Sequence, residues 1–488
     1  MIGWVTHTEG APLALHAALT RHVKEMPVGP KVAAFFDLDR TLLAGFSATA
    51  FFRERLLSGR MTPREMGESF LGALSFALGR TGFSGLMAAS TAAYRGLAER
   101  VLVELGEEVF EKHLAVQIYP ESRALVRAHQ QRGHTVAIVS SATRYQVDPL
   151  ARDLGIEHVL CTRLEVEDGV FTGRVVHPTC WGEGKAIAAR DFTAGRDVDL
   201  GQSSFYTDSA DDLPLLEIVG DPRPLNPDRR LTAIAAERGW PVRRFESRGR
   251  PGLSALVRTG LAYGSLIPSV LGGAAAGLLN GSRRQAVNLV TTAFGELGTA
   301  AAGIDLQVEG EEHLWSRRPA VFIFNHQSGV DMLLVMKLLR RDVVGVAKRE
   351  LQSHPIFGPL FSFGGIVFVD RAGADREKAI AALAPAVDAL SRGLSIAIAP
   401  EGTRSRTPRL GPFKKGAFHI AMAAKVPIVP IVFRNALDAL PRGAALVRPA
   451  TVEALVLPPI DTADWSPEFL DDHIRAIRER YLAVLEEG

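Results

Sequence analysis

The sequence predicts an α/β fold in each of two halves of the 488-residue chain. Short apolar runs that indicate buried strands recur along the chain, and the longer stretches between them have helical character. At roughly 100–200 residues per domain, the length also favours more than one domain. We therefore expect alternating strands and helices in both halves.

The strand-like runs set the order of the predicted elements. They are residues 32–36, 135–140, 203–208, 319–324, 364–369, 394–399 and 426–433. Pro427 and Pro430 lie inside the last run, which predicts an edge strand or a bulge there. No strand signal appears between Phe46 and about Leu114, so a helical insertion is expected after the first strand. The segment FESRGRPG, residues 245–252, predicts the boundary between the halves.

Composition limits the function classes. Hydrophobic residues make up 47% of the chain, which is enough for globular cores. The net charge of +2 gives no indication of a nucleic-acid partner. With Cys161 and Cys180 as its two cysteines, the chain has no disulfide framework, and a reducing cytosol is the simpler expectation. The N-terminal residues lack the pattern of a secretory signal.

An uncharged apolar segment, residues 259–282, indicates contact with a membrane. Its length is close to the ~20 residues that a spanning helix needs. Pro268 and several glycines weaken that interpretation, and a bent pair of short helices lying in one leaflet, anchored by Arg283 and Arg284, fits as well. A buried linker helix is the third interpretation. We predict association with the cytoplasmic face of the cell membrane, peripheral or monotopic, and leave spanning open.

Two carboxylates end the first predicted strand. The motif FFDLDRTLL places Asp37 and Asp39 on one side of an extended chain. Two carboxylates at so short a distance repel each other unless a cation lies between them. Mg²⁺ is a cation that prefers oxygen ligands of this kind. A strand followed by an Asp-rich turn explains this motif equally well when it is taken alone.

Polar residues also follow the other strands of this half. Ser140 ends one strand, Lys185 begins a helix, and Asp208 and Asp212 follow a third strand. In open α/β sheets, ligands bind at the carboxyl ends of the strands. In order and residue type, these motifs resemble the phosphoserine-phosphatase-like branch (subfamily IB) of the haloacid dehalogenase superfamily, over residues 31 to 240.

That resemblance implies a Rossmann-like phosphatase domain with a helical cap at about residues 46–114. It implies Asp37 as the nucleophile and Asp39 as the general acid and base, with Ser140 and Lys185 holding the phosphate oxygens. It also implies that Mg²⁺ is held by Asp208, by Asp37 and by the carbonyl of Asp39, with Asp212 in support.

The phosphatase substrate predicted from the sequence is a larger or lipid-like phosphomonoester such as lysophosphatidate. The stretch LLAGFS, residues 42–47, lacks the carboxylate that holds the substrate amine in phosphoserine phosphatases. The cap stretch FLGALSFALG, residues 70–79, is strongly apolar.

The second half carries the motif NHQSGVD at residues 325–331, directly after a predicted strand. Ser328 and Asp331 have the spacing of a helix capping box. Alternatively, Asp331 orients His326 as in hydrolase triads, and His326 removes a proton directly from a substrate hydroxyl. The spacing alone leaves both interpretations open.

The motif APEGTRSR, residues 399–406, also leaves a strand. Gly402, Thr403 and Arg404 suit an anionic phosphate, although a polar surface loop is the simpler alternative. Basic residues continue beyond it, either as a solvated face or as a contact for phosphate or anionic lipid. They are Arg409, Lys414 and Lys415.

Taken in order, NHQSGVD, FGGIVFVDR, PEGTR and VPIVPI closely resemble the glycerolphosphate acyltransferase superfamily, and within it the 1-acylglycerol-3-phosphate O-acyltransferases. The match spans about residues 306 to 488. It implies His326 as the general base and Asp331 as its orienting partner. It assigns binding of the acceptor phosphate to Arg371, Glu401, Gly402, Thr403 and Arg404. The acyl donor is then acyl-CoA or acyl carrier protein.

We therefore predict an N-terminal extension (1–30), a phosphatase domain (31–245), a linker with membrane-associated helices (246–305) and an α/β acyltransferase domain (306–488). The predicted function is bifunctional: acyl transfer to lysophosphatidate giving phosphatidate at an anionic membrane surface, and Mg²⁺-dependent hydrolysis of a phosphomonoester. Two alternatives stay open. One is another lysophospholipid acceptor beside a regulatory or idle phosphatase-like domain, and the other is chiefly a lipid phosphatase.

Overall fold

The structure, a computed structural model, describes residues 19–59, 67, 83–245, 247–248, 253–353, 357–369, 383–405, 407, 409–441 and 444–487. The chain divides into two compact units, Met1–Arg250 and Pro251–Gly488. Each unit is built on one sheet of mainly parallel strands with helices on its faces, so the α/β prediction is confirmed. The four predicted domain limits remain predictions.

The first unit alternates strands and helices along the chain. Its strands are β1 (Ala33–Phe36), β2 (Thr135–Thr143), β3 (His158–Glu167), β4 (Val170–Val176), β5 (Ser204–Thr207) and β6 (Asp221–Pro224). Its α-helices are α1 (Ser47–Leu57), α2 (Phe83–Ala92), α3 (Glu99–Val109), α4 (Pro120–Gln131), α5 (Arg144–Asp153), α6 (Glu183–Ala194), α7 (Leu213–Leu216) and α8 (Arg229–Arg238).

The sheet of this unit has the order β4-β3-β2-β1-β5-β6. β1 lies at its centre and pairs in parallel with β2 and β5, so that Phe36 stands opposite Ile138 and Tyr206. All four residues of β1 are buried, as expected for a parallel strand covered on both faces. The carboxyl ends of β1, β2 and β5 therefore meet at one edge of the sheet.

The insertion after β1 is helical where the structure describes it, through α1, α2, α3 and a π-helical turn at Phe110–Leu114. The apolar stretch at residues 70–79 lies outside the described residues. Sequence patterns missed β3, β4 and β6. β6 has the sequence DPRP, which carries no apolar signal, and the β3–β4 pair is partly exposed.

The second unit follows the same plan. Its strands are β7 (Ile304–Glu309), β8 (Val321–Phe324), β9 (Val343–Lys348), β10 (Val367–Val369), β11 (Ser395–Ile398), β12 (Ile428–Phe433) and β13 (Ala450–Val456). Its α-helices are α9 (Leu253–Gly264), α10 (Leu266–Asn280), α11 (Arg283–Ala302), α12 (His313–Ser316), α13 (Asp331–Leu339), α14 (Phe357–Gly364), α15 (Ala384–Ser391), α16 (Gly416–Ala424) and α17 (Leu470–Glu487).

The strand order in the second sheet is β10-β9-β11-β8-β12-β13-β7. β8 pairs in parallel with β11 and β12, which brings the ends of these three strands to one edge. Of the two alternatives predicted for the proline-containing strand, an edge strand or a bulge, the edge strand is wrong, because β12 lies between β8 and β13. The Pro430 carbonyl accepts the Leu457 N–H, and the next pair on that side joins Ile428 to Ile460, so the regular ladder is interrupted beside the proline.

Sequence patterns also missed β7, β9 and β13 in this unit. β9 has the largely apolar sequence VVGVAK, which is absent from the predicted strands. β7 is an edge strand that contains polar residues. The long helix α11 is set by local signals. The Ser282 hydroxyl accepts the Gln285 N–H at its start, and Gly303 adopts the left-handed conformation at its end.

Helices α9 and α10 together form a stretch that is long and apolar enough to cross a membrane, by length and composition alone, and it is the one such stretch among the described residues. Most of its apolar side chains are exposed. They include Leu253, Leu256, Val257, Leu261, Ile267, Leu271, Leu278 and Leu279. The interpretation as a buried linker helix therefore does not fit.

Arg283 and Arg284 contact protein atoms rather than standing free for lipid. Arg283 donates to the carbonyls of Ser362 and Phe363, and Arg284 donates to the Asp342 carboxylate at 2.6 Å. These bonds hold the start of α11 to the folded unit, which differs from the lipid-anchoring role predicted for the two arginines.

Helix α11 packs closely on α13, the helix that begins at Asp331. At Gly295, a Cβ atom would lie 2.6 Å from the backbone nitrogen and 2.8 Å from the Cα of Lys337. Because these are backbone atoms, no side-chain rotation relieves the contact. Glycine at this position lets α11 approach the backbone of α13 near Lys337.

We expect Gly295→Ala to lower the free energy of unfolding of the second unit by about 1–3 kcal/mol, because the added methyl group forces the two helices apart. Gly260→Ala is the matched control, since a Cβ there meets no atom within 4 Å. The control should be neutral or stabilising by up to about 1 kcal/mol. Denaturant unfolding in detergent measures both, and equal effects of the two substitutions would contradict the packing argument.

Candidate functional site

The first site lies at the carboxyl edge of the first unit's sheet. Asp37 follows β1, and its backbone N–H continues the pairing with β5 by donating to the Tyr206 carbonyl at 2.9 Å. Asp208 directly follows β5. The structure therefore brings the predicted nucleophile and the predicted metal-binding carboxylate to neighbouring strand ends.

Lys185 connects the buried carboxylates of this site. Its ammonium lies 2.6 Å from Asp37 Oδ1 and 2.7 Å from Asp212 Oδ2, and all three residues are buried. Asp212 Oδ2 also accepts the Thr207 hydroxyl at 2.5 Å. Burial raises the pKa of the Asp37 carboxyl, and the Lys185 ammonium only partly offsets this. Burial alone would lower the pKa of Lys185, but Asp212 and Asp37 raise it and keep the ammonium charged.

Asp39 joins the catalytic edge to the helical insertion. Its Oδ1 accepts the Ser47 backbone N–H at 2.7 Å, and its Oδ2 accepts the Ser47 hydroxyl at 3.2 Å. Ser47 is the first residue of α1, so a carboxylate from the sheet occupies the amino end of that helix. Burial raises the pKa of Asp39, against the effect of the Ser47 donors. A raised pKa suits a group that must release and recover a proton.

Arg40 contacts Asp208, a pairing that sequence reasoning missed. Its guanidinium lies 3.1 Å from Asp208 Oδ2, and its backbone has a φ of 58°. Its carbonyl accepts the Asn226 amide at 3.0 Å, which holds this unusual backbone conformation. Burial raises the pKa of Asp208 to about 7, against the effect of Arg40. Arg40 belongs to the motif FFDLDRTLL, but nothing in the sequence indicated that its partner is Asp208.

Ser140 lies at the same edge but inside an irregular part of β2. The register with β3 shifts between Ser140 and Thr143. The Ser140 hydroxyl is buried and accepts the Ala142 backbone N–H at 3.1 Å. Because Phe36 stands opposite Ile138, Ser140 is level with the start of the Asp37 loop.

The donor set of this edge fits a hard divalent cation. Within the described ranges, no three acidic, histidine or cysteine side chains already form a metal cluster. Asp37 and Asp208 are nevertheless buried carboxyl groups, and burial raises the pKa of each because ionisation is unfavourable there. A cation bound between them would offset that cost, and oxygen ligands of this kind suit Mg²⁺.

The second site begins where β8 ends. The Asn325 side chain bonds to both backbone polar groups of Phe433 in β12: its amide donates to the carbonyl at 2.8 Å, and its oxygen accepts the N–H at 2.7 Å. This side chain therefore continues the strand pairing by one step. It fixes the backbone just before His326, and sequence reasoning had given it no role.

His326 and Asp331 form the contact that the motif predicted. His326 Nδ1 lies 2.7 Å from Asp331 Oδ2, which also accepts the backbone N–H groups of Gln327 and Ser328 at 2.8 Å each. Asp331 is fully buried, whereas a quarter of the His326 side-chain surface is exposed. Burial raises the pKa of Asp331, against the effect of these donors. With Nδ1 facing the carboxylate, Nε2 is the ring nitrogen left for a substrate.

Of the two hydrogen bonds that define the predicted capping box, one is present. The carboxylate of Asp331 accepts the Ser328 N–H, as the third helical residue of a capping box does. The Ser328 hydroxyl, however, donates to the Leu440 carbonyl and accepts the Val330 N–H. Helix α13 begins at Asp331. Asp331 therefore serves the loop and the imidazole at the same time.

Glu401, which follows β11, points into the protein. Its Oε1 accepts the His326 backbone N–H at 2.7 Å. Its Oε2 accepts the Ser405 hydroxyl at 2.7 Å and the Gly411 N–H at 2.9 Å. Both carboxylate oxygens are thus used within the chain, in contrast to the predicted contact with phosphate.

The end of the PEGTR motif, from Thr403 onward, is exposed, whereas Pro400 is buried. Thr403 and Arg404 lie on the surface, and Gly402 has a φ of 69°. A Cβ at Gly402 would lie 3.0 Å from the Lys414 ammonium, and one at Gly329 would lie 3.3 Å from a guanidinium nitrogen of Arg404. The two glycines therefore let Lys414 and Arg404 lie against the backbone of the two motif loops.

Two other basic residues, Lys415 and Arg371, are predicted from the sequence to contact phosphate or lipid. Lys415 is paired with Asp471 at 2.6 Å, so it serves the packing of α17. Arg371 lies outside the described residues.

Comparison with known proteins divides the chain in the same way. A family model for haloacid dehalogenase-like hydrolases matches residues 34–217, and one for acyltransferases matches residues 305–434.

Curated relatives match each half separately. A phosphoserine phosphatase of Mycobacterium tuberculosis, SerB1, is 34% identical over 250 residues, which cover 50% of this chain and 81% of that protein. A 1-acyl-sn-glycerol-3-phosphate acyltransferase of Limnanthes douglasii is 36% identical over 199 residues, which cover 41% of this chain and 69% of that protein.

Among solved structures, the 1-acyl-sn-glycerophosphate acyltransferase of Thermotoga maritima aligns with a TM-score of 0.42 and 24% identity, covering 48% of this chain and 96% of that one. The two resemblances noted in the sequence are confirmed by the family and relative matches. The chain is therefore an enzyme that belongs to two families, the haloacid dehalogenase-like hydrolases through its first unit and the acyltransferases through its second.

Proposed function

We propose that the second unit transfers an acyl group from acyl-CoA or acyl carrier protein to 1-acylglycerol-3-phosphate, giving phosphatidate. The contact between His326 Nδ1 and Asp331 Oδ2 at 2.7 Å is the observation that carries this proposal. It leaves Nε2 to take the proton from the acceptor hydroxyl while the hydroxyl oxygen attacks the thioester carbonyl. The C–S bond then breaks, and the leaving thiolate takes up a proton.

A phosphate site beside the general base supports a phosphate-bearing acceptor. Arg404 lies against the loop that carries His326, and Lys414 lies against Gly402. A guanidinium and an ammonium near exposed backbone suit a phosphate monoester. Arg371 remains a predicted member of this site. The activity named for the Limnanthes douglasii relative agrees with this substrate class.

We propose that the first unit hydrolyses a phosphomonoester. Asp37 attacks phosphorus, and the leaving oxygen takes a proton from Asp39. The same Asp39 then removes a proton from the water that releases phosphate from Asp37. Lys185, charged and fixed between two carboxylates, neutralises phosphate oxygens together with Ser140. Asp37, Asp208, Asp212 and the carbonyl of Asp39 are the groups that would hold Mg²⁺, which neutralises developing charge when bound.

The insertion favours a lipid-like substrate over phosphoserine. Glu54, a buried carboxylate in α1, is held by Lys112 at 2.7 Å and by His113 at 2.9 Å, so it is not free for a substrate amine. Beside exposed polar residues such as Arg53, this helix and its N-cap residue expose four large hydrophobic side chains. They are Phe46, Phe52, Leu56 and Leu57. A lysophosphatidate-like phosphomonoester would match this surface, although the relative SerB1 is named for phosphoserine.

The exposed apolar helices α9 and α10 support placement of the second unit at the cytoplasmic face of a membrane, where an amphiphilic acceptor resides. Another lysophospholipid acceptor beside an idle phosphatase-like unit, or a lipid phosphatase alone, are the remaining alternatives.

We expect His326→Ala to reduce acyl transfer by at least about 100-fold while phosphatase activity is kept, because the general base is lost. Asp37→Asn should do the reverse, so each variant is the control for the other. The assay contains Mg²⁺, oleoyl-CoA and lysophosphatidate, and follows free thiol and free phosphate together. Thiol release that persists in His326→Ala would contradict the assignment, and phosphate release without any thiol release in the unmodified enzyme would favour a lipid phosphatase.

Asp208→Asn should stabilise the first unit without metal. The folded pKa of about 7 lies above the unfolded value, so the stability that protonation contributes is complete at low pH and is lost as the pH rises toward 7. In EDTA, we expect the variant to be more stable by roughly 2–4 kcal/mol at pH 8, and this advantage to shrink by about 2 kcal/mol at pH 5.5.

Denaturant unfolding at the two pH values measures this advantage. Mg²⁺ should raise the midpoint of the unmodified protein and have little effect on the variant. An advantage that does not change with pH, or an equal Mg²⁺ response in both proteins, would contradict the assignment of Asp208.

Replacement of Leu278 and Leu279 by serine should weaken binding to vesicles that contain phosphatidylglycerol. These side chains are 87% and 86% exposed, so their replacement removes lipid contacts without opening a core cavity. Val28→Ser, at a 70% exposed position in the first unit, is the control. Vesicle flotation measures the bound fraction, and equal binding by all variants would contradict docking through α10.

A further inference from the structure

Glu401 holds three separate parts of the chain with one carboxylate. Oε1 accepts the His326 backbone N–H at 2.7 Å, while Oε2 accepts the Ser405 hydroxyl at 2.7 Å and the Gly411 N–H at 2.9 Å. The residue is only 5% exposed. A buried carboxylate is costly unless donors surround it, and these three donors meet that requirement.

The strand register brings Glu401 level with His326. β11 and β8 are adjacent parallel strands, and Ile398 stands opposite Ile323. Glu401 and His326 each follow three residues later, at the same edge of the sheet. The contact is therefore a consequence of the topology and joins the exits of two neighbouring strands.

The same loop also holds the other polar group of the His326 backbone. The Ser405 N–H donates to the His326 carbonyl at 2.7 Å. Both backbone groups of His326 are thus bonded by the segment from Glu401 to Ser405, and Arg404 lies inside that segment. The backbone that carries the imidazole is therefore tied to the loop that carries Arg404.

Gly411 is required for this arrangement. A Cβ at Gly411 would lie 2.8 Å from Glu401 Oε2, so any side chain there would displace the carboxylate. No oxygen of Glu401 is left facing the surface where Thr403 and Arg404 are exposed. A carboxylate at that surface would also repel a phosphate dianion.

We propose that Glu401 is a positioning residue that sets the distance between His326 and Arg404 and does not contact the acceptor phosphate. This inference rests on the proposed acyl transfer and replaces the phosphate-binding role that the sequence motif implied for Glu401. The carboxylate acts through its length and its two acceptor oxygens rather than through its charge on the substrate.

Two conservative variants separate geometry from charge. Glu401→Gln keeps the length and one acceptor for the His326 N–H, so we expect a loss of about 10-fold in kcat. Glu401→Asp keeps the charge but is one methylene shorter and cannot span the three donors, so we expect a loss of about 100-fold or more. Glu453→Gln is the control, because Glu453 pairs with Arg434 elsewhere in the same unit.

The free enzyme gives a second readout that does not depend on activity. Hydrogen exchange of the His326 and Gly411 amides should accelerate in Glu401→Asp, and less in Glu401→Gln, by more than the exchange of amides elsewhere in the second unit. If Glu401→Asp is more active than Glu401→Gln, or if both amides exchange as in the unmodified enzyme, the positioning role is wrong. If the unmodified enzyme fails to transfer acyl groups while these amides respond as expected, the proposed function fails and the positioning contact stands.

Discussion

Buried carboxylates that are held by fixed donors are the interaction on which both candidate sites depend. In the first unit, Lys185 lies between Asp37 and Asp212. In the second, backbone N–H groups hold Asp331, whose other contact is the His326 imidazole. Charging a buried carboxyl is unfavourable without such partners, so the donors and the reacting groups must be placed together. The sheet achieves this by ending parallel strands at one edge.

The two units use this edge differently. The first collects charges of both signs, which suits a reaction that moves a phosphoryl group and needs charge neutralisation. The second holds one imidazole against one carboxylate and keeps its cations, Arg404 and Lys414, at the exposed loops beside it. This separation of the cations from the imidazole suits a reaction in which the phosphate of the acceptor is bound while its hydroxyl group loses a proton. The difference between the sites follows from which residues leave the strands.

Much of both candidate sites was predictable from sequence, because the candidate reacting residues closely follow apolar runs. Asp37, Asp208 and His326 each come within two residues of a buried strand, and parallel topology then brings them together. The contacts of Arg40, Asn325 and Glu401 were not predictable. Each depends on a partner from a neighbouring strand end, between 75 and 168 residues away for Arg40–Asp208, Asn325–Phe433 and Glu401–His326. No local pattern records such a pairing.

The sequence by itself determined the two α/β halves and the order of the motifs, since these follow from periodicity and residue chemistry. The resemblance of those motifs to known families supplied the candidate catalytic side chains. Only the tertiary structure decided the direction of Glu401, the internal place of the proline-containing β12 and the exposure of α9 and α10. Strand order and burial arise from long-range packing, which selects among local arrangements that the sequence permits equally. A residue type predicts its chemistry, but its partners decide how that chemistry is used.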